Sequence, residues 1–147
     1  MTAIDTRTDV TSLYAEVQHF YARQMQLMDR RDFEAFAATF TEDGEFSHSP
    51  GQLARTRPGI VAELVRFHRR FDDDPVVRRH WFNMIVLDPQ EDGSLRATYY
   101  AYVINTRPGS EPQPGPVCVV TDVLVRTDGV LSNRSRHVRQ DRLLLEP

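Results

Sequence analysis

Apolar positions recur at helical spacing through the first half of the chain and alternate through the second. Leu13, Val17, Phe20, Gln24 and Leu27 mark one face of a helix running to about Arg30. Tyr14, Tyr21, Met25 and Met28 widen that face beyond half the circumference, as expected of a helix lying across a sheet. Asp9 or Thr11 caps its start, and Asp32 caps a short second helix over 33–40 with Phe33, Phe36, Ala37 and Phe40 inward. Thr41-Glu-Asp-Gly44 reads as a turn, and Glu45-Phe-Ser-His48 as a short strand. A third helix starts near Pro58, carries Ile60, Val61, Leu64, Val65, Phe67 and Phe71, and ends in Asp72-Asp-Asp-Pro75.

From there the period is that of strands. Residues 76–87 form the first long run, and Asp92-Gly93 turns it into 95–106. A proline-rich loop covers 108–116. Residues 117–127 follow, and Asp128-Gly129 turns into a last strand over 130–141. Three N-terminal helices followed by long strands predict an α+β fold. The expectation is a cone-shaped α+β barrel, with the helices packed on a strongly bent, mixed but mostly antiparallel sheet. The open end of such a cone is a natural pocket.

The 147 residues suffice for one domain with a real core, expected over 10–147 behind a flexible lead at 1–9. The net charge of −3 gives no electrostatic case for nucleic acid, and all 18 basic residues are arginine. One cysteine excludes an internal disulfide and multi-cysteine zinc sites. Cys118 lies in Val117-Cys-Val-Val120, a buried strand environment. No stretch is long and apolar enough to span a bilayer, so a cytoplasmic location is expected.

One acid stands out. Asp29 falls in the last turn of the first helix, where the helix dipole disfavours a carboxylate. It shares a face with Met25 and Tyr21. Such a group is either neutralised by a neighbour or kept for chemistry.

Several segments carry a resemblance. They are Phe20-Tyr-Ala-Arg-Gln-Met-Gln-Leu-Met-Asp29, Arg31-Asp-Phe33 through Phe40-Thr-Glu-Asp-Gly44, and Arg79-His-Trp81. Thr121-Asp-Val-Leu-Val-Arg-Thr-Asp-Gly129 leading to Arg136-His-Val-Arg-Gln-Asp141 completes the set. In order and spacing the chain resembles the SnoaL-like branch of the nuclear transport factor 2-like superfamily. Within it, the chain is similar to bacterial polyketide-tailoring cyclases, dehydratases and isomerases. More distantly it is similar to scytalone dehydratase and to the β subunits of ring-hydroxylating dioxygenases. The scytalone dehydratase resemblance implies that its acid corresponds to Asp29 and its strand histidine to His80. Its neighbouring tyrosine is replaced by Met28, and another tyrosine falls near Phe46. Its asparagine falls near Val120, and Tyr100 or Tyr102 lies near its second histidine. The fold hosts enzymes, binders and structural subunits alike, so function must come from the site.

The expected catalytic set is therefore Asp29, His80 and Asp122. A carboxylate that orients one imidazole nitrogen leaves the other as acid or base. Alternation puts Phe82 and Met84 on the face of His80. Tyr100 and Tyr102 share another face and are expected to give aromatic walls. Tyr21, Met25 and Phe46 complete the expected lining. Asp122 interrupts an apolar strand and is either a second pocket carboxylate or the partner of Arg136 or Arg139. His48 lies at the pocket mouth or on a solvated loop. His137 is a weaker candidate, and His19 and His68 are expected at the surface. The sequence shows no short metal-ligand spacing, Gly-rich phosphate loop or nucleophile elbow.

These residues lead to a cofactor-independent cyclase, dehydratase or isomerase working on an aromatic or polyketide-derived small molecule. A homodimer is expected. The alternatives are a non-catalytic binding or subunit protein, and epoxide opening by paired carboxylates.

Overall fold

The first helix, α1 (Val10–Asp29), opens where the Asp9 carboxylate accepts a hydrogen bond from the Ser12 N–H at 3.0 Å. The computed structural model containing it describes residues 2–4 and 9–145. Leu13, Val17, Tyr21, Gln24, Met25 and Met28 form the buried stripe of α1.

The helix stops because Arg31 adopts φ 60°, a left-handed conformation. The Arg31 N–H then reaches the Met28 carbonyl at 2.9 Å, and the Asp32 N–H reaches that of Leu27 at 2.9 Å. Asp32 also caps α2 (Phe33–Ala38), accepting from the Ala35 N–H at 3.2 Å. One three-residue corner thus ends a helix, starts the next, and fixes where Asp29 stands.

The chain continues through β1 (Phe40–Ser47), β2 (Ala54–Arg55), α3 (Thr56–His68) and a 3₁₀ turn, Arg69–Phe71. Four long strands follow: β3 (Val77–Pro89), β4 (Leu95–Thr106), β5 (Gln113–Thr127) and β6 (Val130–Gln140). The six strands make one curved sheet in the order β2-β1-β6-β5-β4-β3. All neighbours are antiparallel except β1 and β6. This is the expected α+β architecture of three helices on a mixed, mostly antiparallel sheet.

Two local expectations change. Thr41 to Gly44 is part of β1, with an irregular register between Phe40 and Glu45. Gly44 is pressed onto Phe40, and a Cβ there would lie 2.9 Å from the Phe40 Cβ. The loop before β5 is also shorter than expected, because pairing with β4 begins at Gln113. The lead expected over 1–9 lies partly outside the described residues. Within it, the Thr2 N–H bonds to the Arg126 carbonyl and Ile4 is buried against the sheet.

The core has two lobes. Leu13, Val17, Tyr21, Leu95, Tyr99 and Leu124 fill the space between α1 and the sheet. Met25, Met28, Phe36, Phe40, Phe46, Ile60 and Leu64 fill the space under α2 and α3. Phe82 packs against both lobes and so stands between them. The second lobe is not completely filled, and the gap is the cavity described next.

Candidate active site

The cavity opens between α1, α3 and the inner face of β3–β6. Its free volume is about 120 Å³, roughly ten times what one water requires. The walls are mainly apolar, with Met25, Met28, Phe46, Phe67, Phe82 and Val103 prominent. The polar groups that reach it are His48, His68, Arg78, His80, Arg136 and Gln140. An apolar chamber with few convergent polar groups is the usual form of a small-molecule site.

His80 lines this cavity, and Asp29, which is absent from the cavity wall, bonds to it. Asp29 is the last residue of α1 and His80 stands near the start of β3, 51 positions later. His80 Nδ1 lies 2.7 Å from Asp29 Oδ1, and both side chains are largely shielded from solvent. A carboxylate can only accept, so Nδ1 is the protonated nitrogen and Nε2 stays outside that bond. No basic residue of α1 itself offsets the acid in its last turn; His80 is its partner.

A second histidine–carboxylate pair contributes its histidine, His48, to the same chamber. His48 follows the end of β1, and its Nε2 lies 2.8 Å from Glu63 Oε1 on α3. Gln52 clamps this strand end, accepting from the His48 N–H at 2.8 Å and donating to the Phe46 carbonyl at 3.2 Å. The hydrogen bond from Arg66 holds the Glu63 carboxyl below its usual pKa, with His48 adding to it. His48 is thus a wall residue rather than a solvated loop histidine.

His68, expected at the surface, is buried and lines the chamber. It completes the stripe Ile60, Leu64, His68 on α3, a four-residue repeat visible in the sequence. Its Nδ1 donates to the Leu64 carbonyl at 2.8 Å. Burial lowers its pKa to about 4, so the ring is neutral near pH 7.

Cross-strand register corrects the expected aromatic walls. His80 pairs with Val103, and Phe82 with Ala101. Paired residues point to the same face of a sheet. The inner residues of β4 are therefore Tyr99, Ala101 and Val103. Tyr100 and Tyr102 instead share the outer face with Trp81 and Asn83. Met84 also leaves the expected wall. A bulge between Asn83 and Val86 gives Met84 φ 58° and turns its side chain out, while Ile85 takes the inner position.

On β6 the inner residues are Arg136, Val138 and Gln140, so His137 faces outward and is exposed. Tyr21 is buried behind Phe82, with ring centroids 5.7 Å apart, and does not reach the cavity wall. Met25, Phe46 and Phe82 line it as expected, and Met28 occupies the place beside Asp29.

Asp122 is absent from the cavity wall. Arg136 Nε donates to its Oδ1 at 2.9 Å, and Arg136 Nη2 to its Oδ2 at 2.8 Å. The Tyr99 hydroxyl donates to Oδ2 at 3.0 Å. Arg136 also reaches Gln24, which donates to Thr39 at 2.8 Å and to Asn133 at 3.0 Å. Burial opposes the guanidinium charge, but the Asp122 carboxylate reverses the effect and holds the pKa above its ordinary value. The reading of Asp122 as the Arg136 partner is the one the structure adopts.

Comparison with known proteins adds the family. A SnoaL-like domain model matches residues 9–137. The chain belongs to the SnoaL-like family. Among solved structures, this SnoaL-like protein is similar to ActVI-ORFA from Streptomyces coelicolor, at 53% identity and a TM-score of 0.87. That match covers 91% of this chain and 98% of the other. Aln2 from another Streptomyces strain matches at 40% identity and a TM-score of 0.85, covering 91% and 94% of the two chains. A Catenulispora acidiphila protein solved in complex with S-DNPA matches at 47% identity and a TM-score of 0.81, covering 89% and 95%. No curated protein matches the chain. Among the described residues, no helix is long and apolar enough to cross a membrane.

Proposed function

We propose that this SnoaL-like protein is an acid–base enzyme acting on an aromatic or polyketide-derived intermediate. The reaction class is cyclisation, dehydration or isomerisation by proton transfer. The observation that carries the reading is the 2.7 Å contact from Asp29 to His80, which itself lines the wall of an apolar cavity. Asp29 holds the imidazole in one tautomer and stabilises the imidazolium once it forms. His80 Nε2 takes a proton from a carbon acid, or returns one to a departing hydroxyl. Phe46, Phe67 and Phe82 supply faces for a flat ring system. His48, held by Glu63, stands ready as a second proton-handling group.

A protein 47% identical to this chain has been solved in complex with S-DNPA, which makes that compound a probe for this cavity. Epoxide opening by paired carboxylates finds less support, because both oxygens of Asp122 are engaged by Arg136. A non-catalytic binder of the same fold would need the cavity but not the pair.

The test uses S-DNPA as the probe. The protein is incubated with it in D₂O, and deuterium incorporation is read by mass spectrometry. Wild type accelerates exchange and His80→Ala loses that acceleration, by about 10²–10⁴-fold if His80 is the general base. Equal exchange by a folded His80→Ala variant would sink the assignment, as would binding without exchange in wild type.

A homodimer is part of the proposal. The outer face of the sheet exposes Trp81 (63%), Val86 (55%) and Tyr100 (56%) together. An apolar patch of this kind on a sheet face fits a second copy of the chain.

A further inference from the structure

Arg78 is the one cavity arginine whose charge lacks a carboxylate partner among the described residues. It stands two residues before His80 on β3 and therefore on the same inner face. Its Nε donates to Asn105 Oδ1 at 3.2 Å, and among the described residues the two terminal nitrogens remain available. Arg136, the other arginine of the wall, has its charge met by Asp122, which accepts from both Nε and Nη2. The contrast matters because a shielded guanidinium costs free energy unless an anion meets it.

The surroundings hold Arg78 in place without neutralising it. Its guanidinium lies 5.0 Å from the Phe71 ring centroid and 5.5 Å from that of Phe67. Arg70 lies over the same Phe67 ring at 3.9 Å, and Arg31 over Phe71 at 6.0 Å. Three guanidinium groups therefore gather around two aromatic rings at one end of the chamber. Burial lowers the Arg78 pKa from its ordinary value, Asp29 opposes this, and Arg70 and Arg31 add to it. Asp29 is itself bonded to His80. The facing histidine, His68, is neutral near pH 7 and brings no negative charge.

We propose that Arg78 is a substrate-binding residue that receives a carboxylate carried by the aromatic ligand. A planar carboxylate matches the two terminal N–H groups of a guanidinium in bidentate fashion. Two residues along a strand span about 6.6 Å, so a carboxylate on Arg78 places His80 roughly one ring-width further along the ligand. The substrate is then an aromatic acid whose reacting carbon lies about one ring from its carboxylate. This inference rests on the cavity being the ligand site, and not on which proton His80 moves.

The experiment compares 2-naphthoate with the neutral 2-naphthamide by calorimetry on the full chain. Wild type binds the acid more tightly, by about tenfold or more for a charge-assisted pair in a shielded site. Arg78→Gln removes that preference while amide affinity stays constant, and Arg78→Lys keeps part of it. The readout is binding and not turnover, which separates this proposal from the catalytic one. Equal affinity of wild type for acid and amide overturns the proposal, as does failure of the acid to bind. A preference that survives Arg78→Gln also overturns it. A thermal melt of each variant shows whether it is folded, and the unchanged amide affinity checks the cavity.

Discussion

Asp122 on β5 and Arg136 on β6 are direct cross-strand partners, joined by two hydrogen bonds of 2.9 and 2.8 Å inside the core. Both side chains are essentially without solvent contact. Arg136 also lies within 5.3 to 6.0 Å of the ring centroids of Phe82, Tyr21, Phe40 and Tyr99. The pair is the polar centre that ties α1, β4, β5 and β6 together.

Breaking this pair on one side should be costly. Asp122→Ala leaves an uncompensated buried guanidinium, for an expected loss of about 3–5 kcal/mol in urea unfolding. The double variant Asp122→Leu, Arg136→Met removes both charges and recovers most of that loss. A stable, unperturbed Asp122→Ala would show that the network contributes little.

Asp29→Asn keeps the shape of the helix end and removes the carboxylate. Its amide can donate to His80 as well as accept, so the imidazole is no longer held in one tautomer. We expect deuterium exchange into S-DNPA to fall by about 10²-fold or more, with little change in its binding. A fall in affinity with exchange per bound ligand preserved would place Asp29 in binding instead.

His68 sets a pH dependence of stability. Its folded pKa of about 4 lies below the ordinary value of 6.5. Between these values the unfolded chain binds more protons than the folded one, so stability is full above about pH 6.5 and declines toward pH 4. The decline attributable to this group is roughly 2–3 kcal/mol. Urea melts of wild type and His68→Gln at several pH values isolate it as a difference. Parallel pH profiles would contradict the assignment of a neutral, buried ring.

The outer sheet face makes a prediction about assembly. Trp81→Glu together with Tyr100→Glu puts two charges onto the exposed patch. Size-exclusion with light scattering should show wild type as a dimer and the variant as a monomer of unchanged fold. A wild type that elutes as a monomer at micromolar concentration removes this proposal.

Much of the architecture was legible from pattern alone. The stripe Leu13, Val17, Met28 and the caps at Asp9 and Asp32 are local features, decided within a few residues of chain. So are the hairpin turns at Asp92-Gly93 and Asp128-Gly129, where both glycines have positive φ. Asp29 at the end of α1 was visible for the same reason. Its union with His80 was not local and entered only through family resemblance.

The sequence by itself thus determined the elements, their periods and the oddity of an acid at a helix end. Only the tertiary structure decided which face of each strand looks inward. That choice depends on pairing between distant segments, and a single bulge residue such as Met84 inverts it. The pairing of Phe82 with Ala101 sent Tyr100 and Tyr102 outside, and the pairing of Asp122 with Arg136 turned a candidate acid into a core ion pair. It also brought His68 and Arg78 to the cavity. A side chain's chemistry is written in its residue type, but what it faces is set by contacts remote along the chain.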